Sequence, residues 1–176
     1  MIVKSAVAKF EKVSREQYAK DFTFMREMGV SGMEEDIIND CYSKLTLPVR
    51  KTKLSAGYDF SFPFSLVIPP HTEMLIFTGI KCMLKEGYVL KLYPRSSLGF
   101  KYRMQLNNTV GIIDADYYNN ESNEGNIGVK VFNPSDRPII LEKGQAICQG
   151  IIECYFLAEE EEVTRERTGG IGSTDK

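Results

Sequence analysis

From residue 45 to residue 157 the sequence is a succession of short apolar runs cut at close intervals by Pro, Gly, Asn and Asp. That punctuation limits the fold more than any other feature. Runs rich in Val, Ile, Leu, Phe and Tyr have the length of strands, and the turn residues between them leave no room for long helices. The pattern predicts strands at residues 45–49, 60–66, 73–77, 88–93, 127–133, 138–141 and 146–158. Turns fall at Pro69-Pro70, Glu86-Gly87, Pro94, Asn107-Asn108, the Pro134-Ser-Asp triplet and Lys143-Gly144. Many short strands with regular turns specify an all-β sandwich or a distorted, jelly-roll-like barrel. Residues 119–125 (Asn-Asn-Glu-Ser-Asn-Glu-Gly) are polar and aperiodic, which reads as an exposed hairpin loop inserted at the surface.

The first 44 residues have a different character. Ser14 and Gln17 have the spacing of a capping box, and Tyr18, Phe22, Met25 and Met28 follow near helical period, with Gly29 placed to end the helix. Ser31 and Glu34 repeat the cap, and Met33, Ile37, Ile38, Cys41 and Tyr42 form a second apolar stripe. Two short helices are expected here, their stripes facing a core. The division is thus a helical extension over 1–44, a β core over 45–158, and a hinge and arm over 159–176, with the acidic run 159–162 as a solvated hinge.

Composition narrows the function. A chain of 176 residues suits one domain with a small appendage. The net charge of −2 excludes a surface that coats nucleic acid. The four cysteines, Cys41, Cys82, Cys148 and Cys154, are scattered, and His71 is the one histidine. This is no zinc-site pattern, and it fits reduced thiols in a cytoplasmic protein. No apolar run is long enough to cross a membrane, and the N-terminus is not a signal peptide.

The chain ends in Arg167-Thr-Gly-Gly-Ile-Gly-Ser-Thr-Asp-Lys176. Glycines turn successive N–H groups toward one point, Ser173 and Thr174 add hydroxyl donors, and Arg167 adds a full charge. These are the parts of an anion cradle, although such termini also occur as frayed tails. Four polar segments precede it within the β pattern: Ala56-Gly-Tyr-Asp59, Pro94-Arg-Ser-Ser-Leu-Gly99, Asn108-Thr-Val-Gly-Ile-Ile-Asp-Ala-Asp-Tyr117 and Lys143-Gly-Gln-Ala-Ile-Cys-Gln149.

In this order the five segments resemble the five motifs of the trimeric dUTP pyrophosphatase (dUTPase) family, from about Leu47 to Lys176. The resemblance implies a homotrimer with sites at subunit interfaces, Mg²⁺ as cofactor, and hydrolysis of dUTP to dUMP and pyrophosphate. That reaction would keep uracil out of DNA and supply dUMP for thymidylate synthesis. Asp114 matches the catalytic aspartate, a general base that draws a proton from water aimed at the α-phosphate. Its residue type alone equally suits a turn cap. The resemblance implies that Ser96 and Ser97 contact phosphates, that Arg95 supports the site electrostatically, and that Gln149 is a neutral donor. Arg95 on its own could instead be a structural ion pair. Asp59 matches an aspartate that organises hydrated Mg²⁺, an ion that keeps most of its waters and needs few protein ligands. A strand-edge cap is its plainer reading.

Uracil reading needs an acceptor for N3–H and donors for the carbonyls, and a β-hairpin backbone supplies both. Residues 108–117 match that hairpin, with Gly111 and Ile113 in its backbone and Asn108 adding an amide. Tyr117 would place its ring against the deoxyribose and leave no space for a 2′-OH; simple core packing is the alternative. In the arm, Arg167, Gly170, Ile171, Gly172, Ser173 and Thr174 match the phosphate-binding motif. Ile171 stands where most relatives carry Phe, so stacking worth roughly 0.5–1.5 kcal/mol is absent. Asp175 replaces a glycine, and Arg165 is the alternative arm arginine. A dCTP deaminase on the same fold would need a carboxylate on the strand after the hairpin, where this chain has Lys130. A nucleotide-binding regulatory role is the other rival, and every expected catalytic position is filled.

Overall fold

The computed structural model describes residues 6–27, 35–159, 167, 169 and 170. In chain order the elements are β1 (Ala8–Lys12), α1 (Arg15–Glu27), α2 (Glu35–Lys44), β2 (Tyr58–Ser61), β3 (Leu66–Ile68), β4 (Thr72–Phe77) and β5 (Ile80–Leu84). There follow β6 (Tyr88–Pro94), α3 (Ser96–Tyr102), β7 (Gln105–Leu106), β8 (Gly111–Ile113), a 3₁₀ turn (Ala115–Tyr117), β9 (Gly128–Asn133), β10 (Ile139–Leu141) and β11 (Ala146–Cys154). All strand pairs are antiparallel. The sheets run β2-β11-β6-β8, β4-β9-β7, β10-β3 and β1-β5. Their inner faces share one core that includes Phe60, Ile68, Ile76, Leu90, Ile127, Val131, Ile139 and Ile147. This is the all-β, barrel-like architecture expected from the strand spacing.

Several expected strands end where their chemistry requires. Residues 45–49 make only a bridge, Val49 to Asp59, because Pro48 has no N–H with which to extend a ladder. Residues 60–66 split: β2 stops after Ser61, ahead of Pro63, and the chain resumes as β3 in another sheet. β11 ends at Cys154 rather than residue 158, since Cys154 faces Tyr88, the first residue of β6. Beyond it the Tyr155 N–H still donates to the Gly87 carbonyl, but among the described residues no strand continues the pairing. The expected hairpin over 108–117 is also corrected: β8 pairs with β6, whereas β7 pairs with β9. Residues 108–117 therefore hold a single strand, and the chain crosses between sheets from β7 to β8.

The N-terminal helices are found as expected, but this quarter also supplies β1, which pairs with β5. Tyr18, Phe22 and Met25 are each 2% exposed or less, one face of α1 at helical spacing. Phe22 packs edge-on against Phe64 and lies 5.5 Å from the ring of Tyr18. Half of the expected capping box forms: the Gln17 N–H donates to Ser14 Oγ at 3.0 Å. The other half is replaced, because Gln17 Nε2 donates to Asp21 while the Ser14 N–H and hydroxyl both donate to Glu124. Gly29 and the second capping pattern at Ser31 and Glu34 lie outside the described residues. Phe22→Ala should cost about 3–5 kcal/mol in urea denaturation, showing α1 to be core rather than appendage.

Candidate active site

Two concave regions hold the polar segments. The first is built around β8, the edge strand of its sheet. Gly111 faces Leu92, and a Cβ there would lie 3.1 Å from the Leu92 side chain, so glycine lets β8 pack close to β6. One edge of β8 bonds β6, and among the described residues the other has no strand beside it. Free backbone groups on such an edge can read a ligand as they would a neighbouring strand. The cavity here is about 370 Å³ and is lined by Asn108, Gly111, Ile113, Tyr117, Lys130 and Arg167 among others, a volume suited to a small ligand.

Asp114 follows β8 and opens the 3₁₀ turn in an extended conformation, without a side-chain cap bond. The turn-cap reading is therefore excluded. Its carboxylate is half exposed and accepts from Arg167 Nη2 at 3.0 Å. Asp116 accepts from Arg167 Nε at 2.8 Å. The two carboxylates converge through this shared guanidinium. Arg167 also lies 5.7 Å from the Tyr117 ring centre, in cation–π range. Tyr117 is 5% exposed. Its hydroxyl donates to the Asn126 carbonyl at 3.0 Å and accepts from Asn123 Nδ2 at 2.8 Å. Burial pushes that hydroxyl above its ordinary range, against the opposing Asn123 hydrogen bond, so it stays protonated. Tyr117 is thus both packed and in the cavity wall.

Residues 119–125 are not the exposed loop that their composition suggested. Asn120 and Asn123 are buried, as is Asn126 just after. Asn120 accepts from the N–H groups of Ser122 and Asn123 and donates to the Tyr117 carbonyl. The asparagines fold the segment inward and bind it to Tyr117.

The second region gathers the other segments. Asp59 on β2, Gln149 on β11 and Tyr93 on β6 are neighbours across three strands. Arg95 precedes α3 and reaches back to Asp59, Nη1 to Oδ1 at 2.5 Å. The ion-pair reading of Arg95 is therefore realised. Gln149 Nε2 donates to the Pro94 carbonyl at 3.3 Å, and a Cβ on Gly57 would strike Gln149 Oε1. The nearby cavity, about 400 Å³, is lined by Lys51, Asp59, Arg95, Ser97, Lys101 and Gln145 among others. Three cations against one carboxylate suit a polyanion. Ser96 opens onto a separate shallow hollow beside Phe100. Lys51 and Lys101 were missed from sequence because isolated lysines carry no pattern. Ile171, Gly172, Ser173, Thr174, Arg165 and Asp175 lie outside the described residues.

Asp59 Oδ2 is buried and has no hydrogen-bond partner among the described residues. Among the described residues no group of three or more His, Cys, Asp or Glu could hold a metal directly. A lone acceptor beside a polyanion cavity fits an ion that binds mainly through water and phosphate, and does not fit a zinc-type site.

The two regions do not meet within one chain. Ile113 faces Leu90, so Asp114 lies toward Val89, six positions along β6 from Arg95. At strand rise that is roughly 20 Å.

Residues 43–175 match the dUTPase family model. The chain is 40% identical over 132 residues to a deoxyuridine 5′-triphosphate nucleotidohydrolase of Lactococcus lactis, covering 74% of this chain and 88% of that one. Among solved structures it resembles the dUTPase of Streptococcus mutans, with a TM-score of 0.62 and 32% identity, covering 85% of this chain and 98% of that one. It also shares its fold with a phage phi11 dUTPase whose structure describes a structural Mg(II) ion. There the TM-score is 0.55 and the identity 24%, over 69% of this chain and 92% of that one.

Proposed function

The chain belongs to the dUTPase family, and we propose from that premise that it converts dUTP and water to dUMP and pyrophosphate at a site shared between copies of the chain. One observation carries the reading. Asp114 has a half-exposed carboxylate, unused by its own turn, beside a cavity of nucleoside size. In this reading the free edge of β8 and Asn108 hold the uracil, and Tyr117 backs the deoxyribose. Asp114 takes the proton of the attacking water. The cation-lined region of Arg95, Ser97, Lys51 and Lys101 receives the phosphates, with Ser96 and Gln149 at its border. Mg²⁺, when bound, would neutralise the polyphosphate, with Asp59 holding one of its waters. Such a site works by positioning and charge neutralisation. Lys130, paired with Glu73 at 2.5 Å, puts a cation where a deaminase needs a carboxylate.

The separation of roughly 20 Å between Asp114 and Arg95 supports a shared site, because one scissile phosphorus cannot contact both from the same chain. Phe100, Phe156 and Leu157 are more than two-thirds exposed, apolar surface that an assembly would cover. A homotrimer satisfies both. Free cysteines, three of them buried, suit a reducing cytoplasm.

Mixing two inactive variants tests the reaction and the sharing together. Asp114→Asn and Arg95→Ala chains, unfolded and refolded together, should regain roughly one quarter of wild-type pyrophosphate release from dUTP. Random assembly brings two intact halves together at that frequency. A mixture as inactive as its components places each site within one chain. Wild-type protein that releases no pyrophosphate from dUTP, or that releases ammonia from dCTP, overturns the reaction itself.

A further inference from the structure

The segment after the catalytic turn contains more buried amide chemistry than a connecting loop requires. Asn123 Nδ2 donates to the Tyr117 hydroxyl at 2.8 Å and to the Asn126 carbonyl at 3.1 Å. Its Oδ1 accepts from Asn120 Nδ2 at 2.8 Å and from the Gly125 N–H at 3.1 Å. Asn126, fully buried, is held at both ends of its amide: Oδ1 accepts from the Gly79 N–H at 2.8 Å and Nδ2 donates to Asp21 Oδ2 at 2.6 Å. Gln17 donates to the same Asp21 oxygen at 2.8 Å. Glu124, between the two asparagines, accepts twice from Ser14. The Tyr117 hydroxyl is therefore held by two groups, each fixed by others, and the chain of bonds ends on α1.

Burying so many amides is costly unless each is satisfied, and a satisfied network has one geometry. Apolar residues would fill the same space without fixing the azimuth of a ring. A phenol ring packed only by dispersion can slide along its neighbours, whereas one bonded through both the donor and the acceptor of its hydroxyl cannot. Ring position matters most at the wall against which the sugar would lie, where a shift of a few tenths of an ångström admits or rejects one oxygen atom.

We infer that Asn123, backed by Asn126 and Asp21, is a positioning residue that sets the discrimination between deoxyribose and ribose by fixing the Tyr117 ring. The inference rests on the proposed placement of the sugar against Tyr117. It also gives α1 a part in the site, although Asp21 lies outside the segment 43–175 that matches the family model.

The test is the ratio of kcat/KM for dUTP to that for UTP. In Asn123→Ala the ratio should fall about tenfold, in line with the loss of a buried hydrogen bond, mainly through improved use of UTP while kcat on dUTP stays within a few fold. Tyr117→Phe keeps the ring and removes the anchored hydroxyl, so it should lower the ratio by a similar factor. The double variant should fall no further, because both changes cut the same connection. A structural role alone would lower both substrates together and leave the ratio unchanged. An unchanged ratio, or effects that multiply in the double variant, overturns the inference. If Asn123→Ala does not fold, Tyr117→Phe decides: a lowered ratio supports the assignment and a wild-type ratio ends it. Wild-type protein that fails to prefer dUTP over UTP would instead overturn the underlying sugar placement, and the inference with it.

Discussion

Asp114→Asn should fold normally, bind dUTP at least as tightly as the wild type, and turn it over about 10²–10⁴-fold more slowly, the usual contribution of a general base. The amide has the same shape as the carboxylate but cannot take a proton from water. Stability should hardly change, since the carboxylate is half exposed and its one side-chain hydrogen bond among the described residues is to Arg167. Arg167 keeps its second partner, Asp116. Removing a negative charge beside a polyanion site does not weaken nucleotide binding. The measurement pairs steady-state pyrophosphate release with calorimetric binding of a non-hydrolysable dUTP analogue. Wild-type turnover in the variant removes Asp114 from the base role. Equal losses of binding and turnover would make it a binding group instead.

The architecture was readable where burial follows the strand period. In β9, Val129, Val131 and Asn133 point inward in alternation, and the run was recognised. β5 shows the same alternation, with Ile80, Cys82 and Leu84 buried. It was missed because only Thr78 and Gly79 separate it from β4, and the two strands merge into one apolar stretch. β7 is two residues long and has no period to detect. α3 buries Leu98 alone and carries an internal Gly99, so no helical stripe marks it. Where proline interrupted a run, at Pro48 and Pro63, the break was legible but went unused. Apolar content outweighed the missing donor in that reading, and the backbone obeyed the donor.

For the site, the motif resemblance singled out Asp114, Gly111 and Tyr117 together, and they lie on or directly after β8. It could not show that Arg95 closes on Asp59, since that ion pair joins strands from two separate motifs. The asparagine network was misread for a related reason. Polarity without periodicity normally means exposure, and the partners that make burial tolerable are distant: Asp21 is 105 residues from Asn126, and Ser14 is 110 from Glu124. Satisfied buried polar groups look like loop residues in a sequence, and only three-dimensional pairing distinguishes them.

Deleting residues 167–176 should lower kcat/KM for dUTP by about 10²–10³-fold, the scale of losing preorganised charge and donors, with little change in melting temperature. The small structural cost follows from the position of Arg167. The Arg167 side chain is 13% exposed, but its bonds go to two half-exposed carboxylates, and pairs open to solvent on one side contribute on the order of 1 kcal/mol. The large functional cost follows from what those bonds imply. The guanidinium pairs with Asp114 at 3.0 Å; a triphosphate offers it denser negative charge, and the exchange would free the carboxylate to face water. Arg167 would then act twice, once on phosphate and once by leaving the base. Arg167→Ala in the undeleted 176-residue chain separates the arginine from the rest of the arm. If it loses as much as the deletion, then Gly170, Ile171, Gly172, Ser173 and Thr174 add nothing. A smaller loss assigns the difference to them. A truncated protein with wild-type kcat/KM would show that the arm takes no part in the reaction, and the Arg167 contacts would then be surface pairs alone.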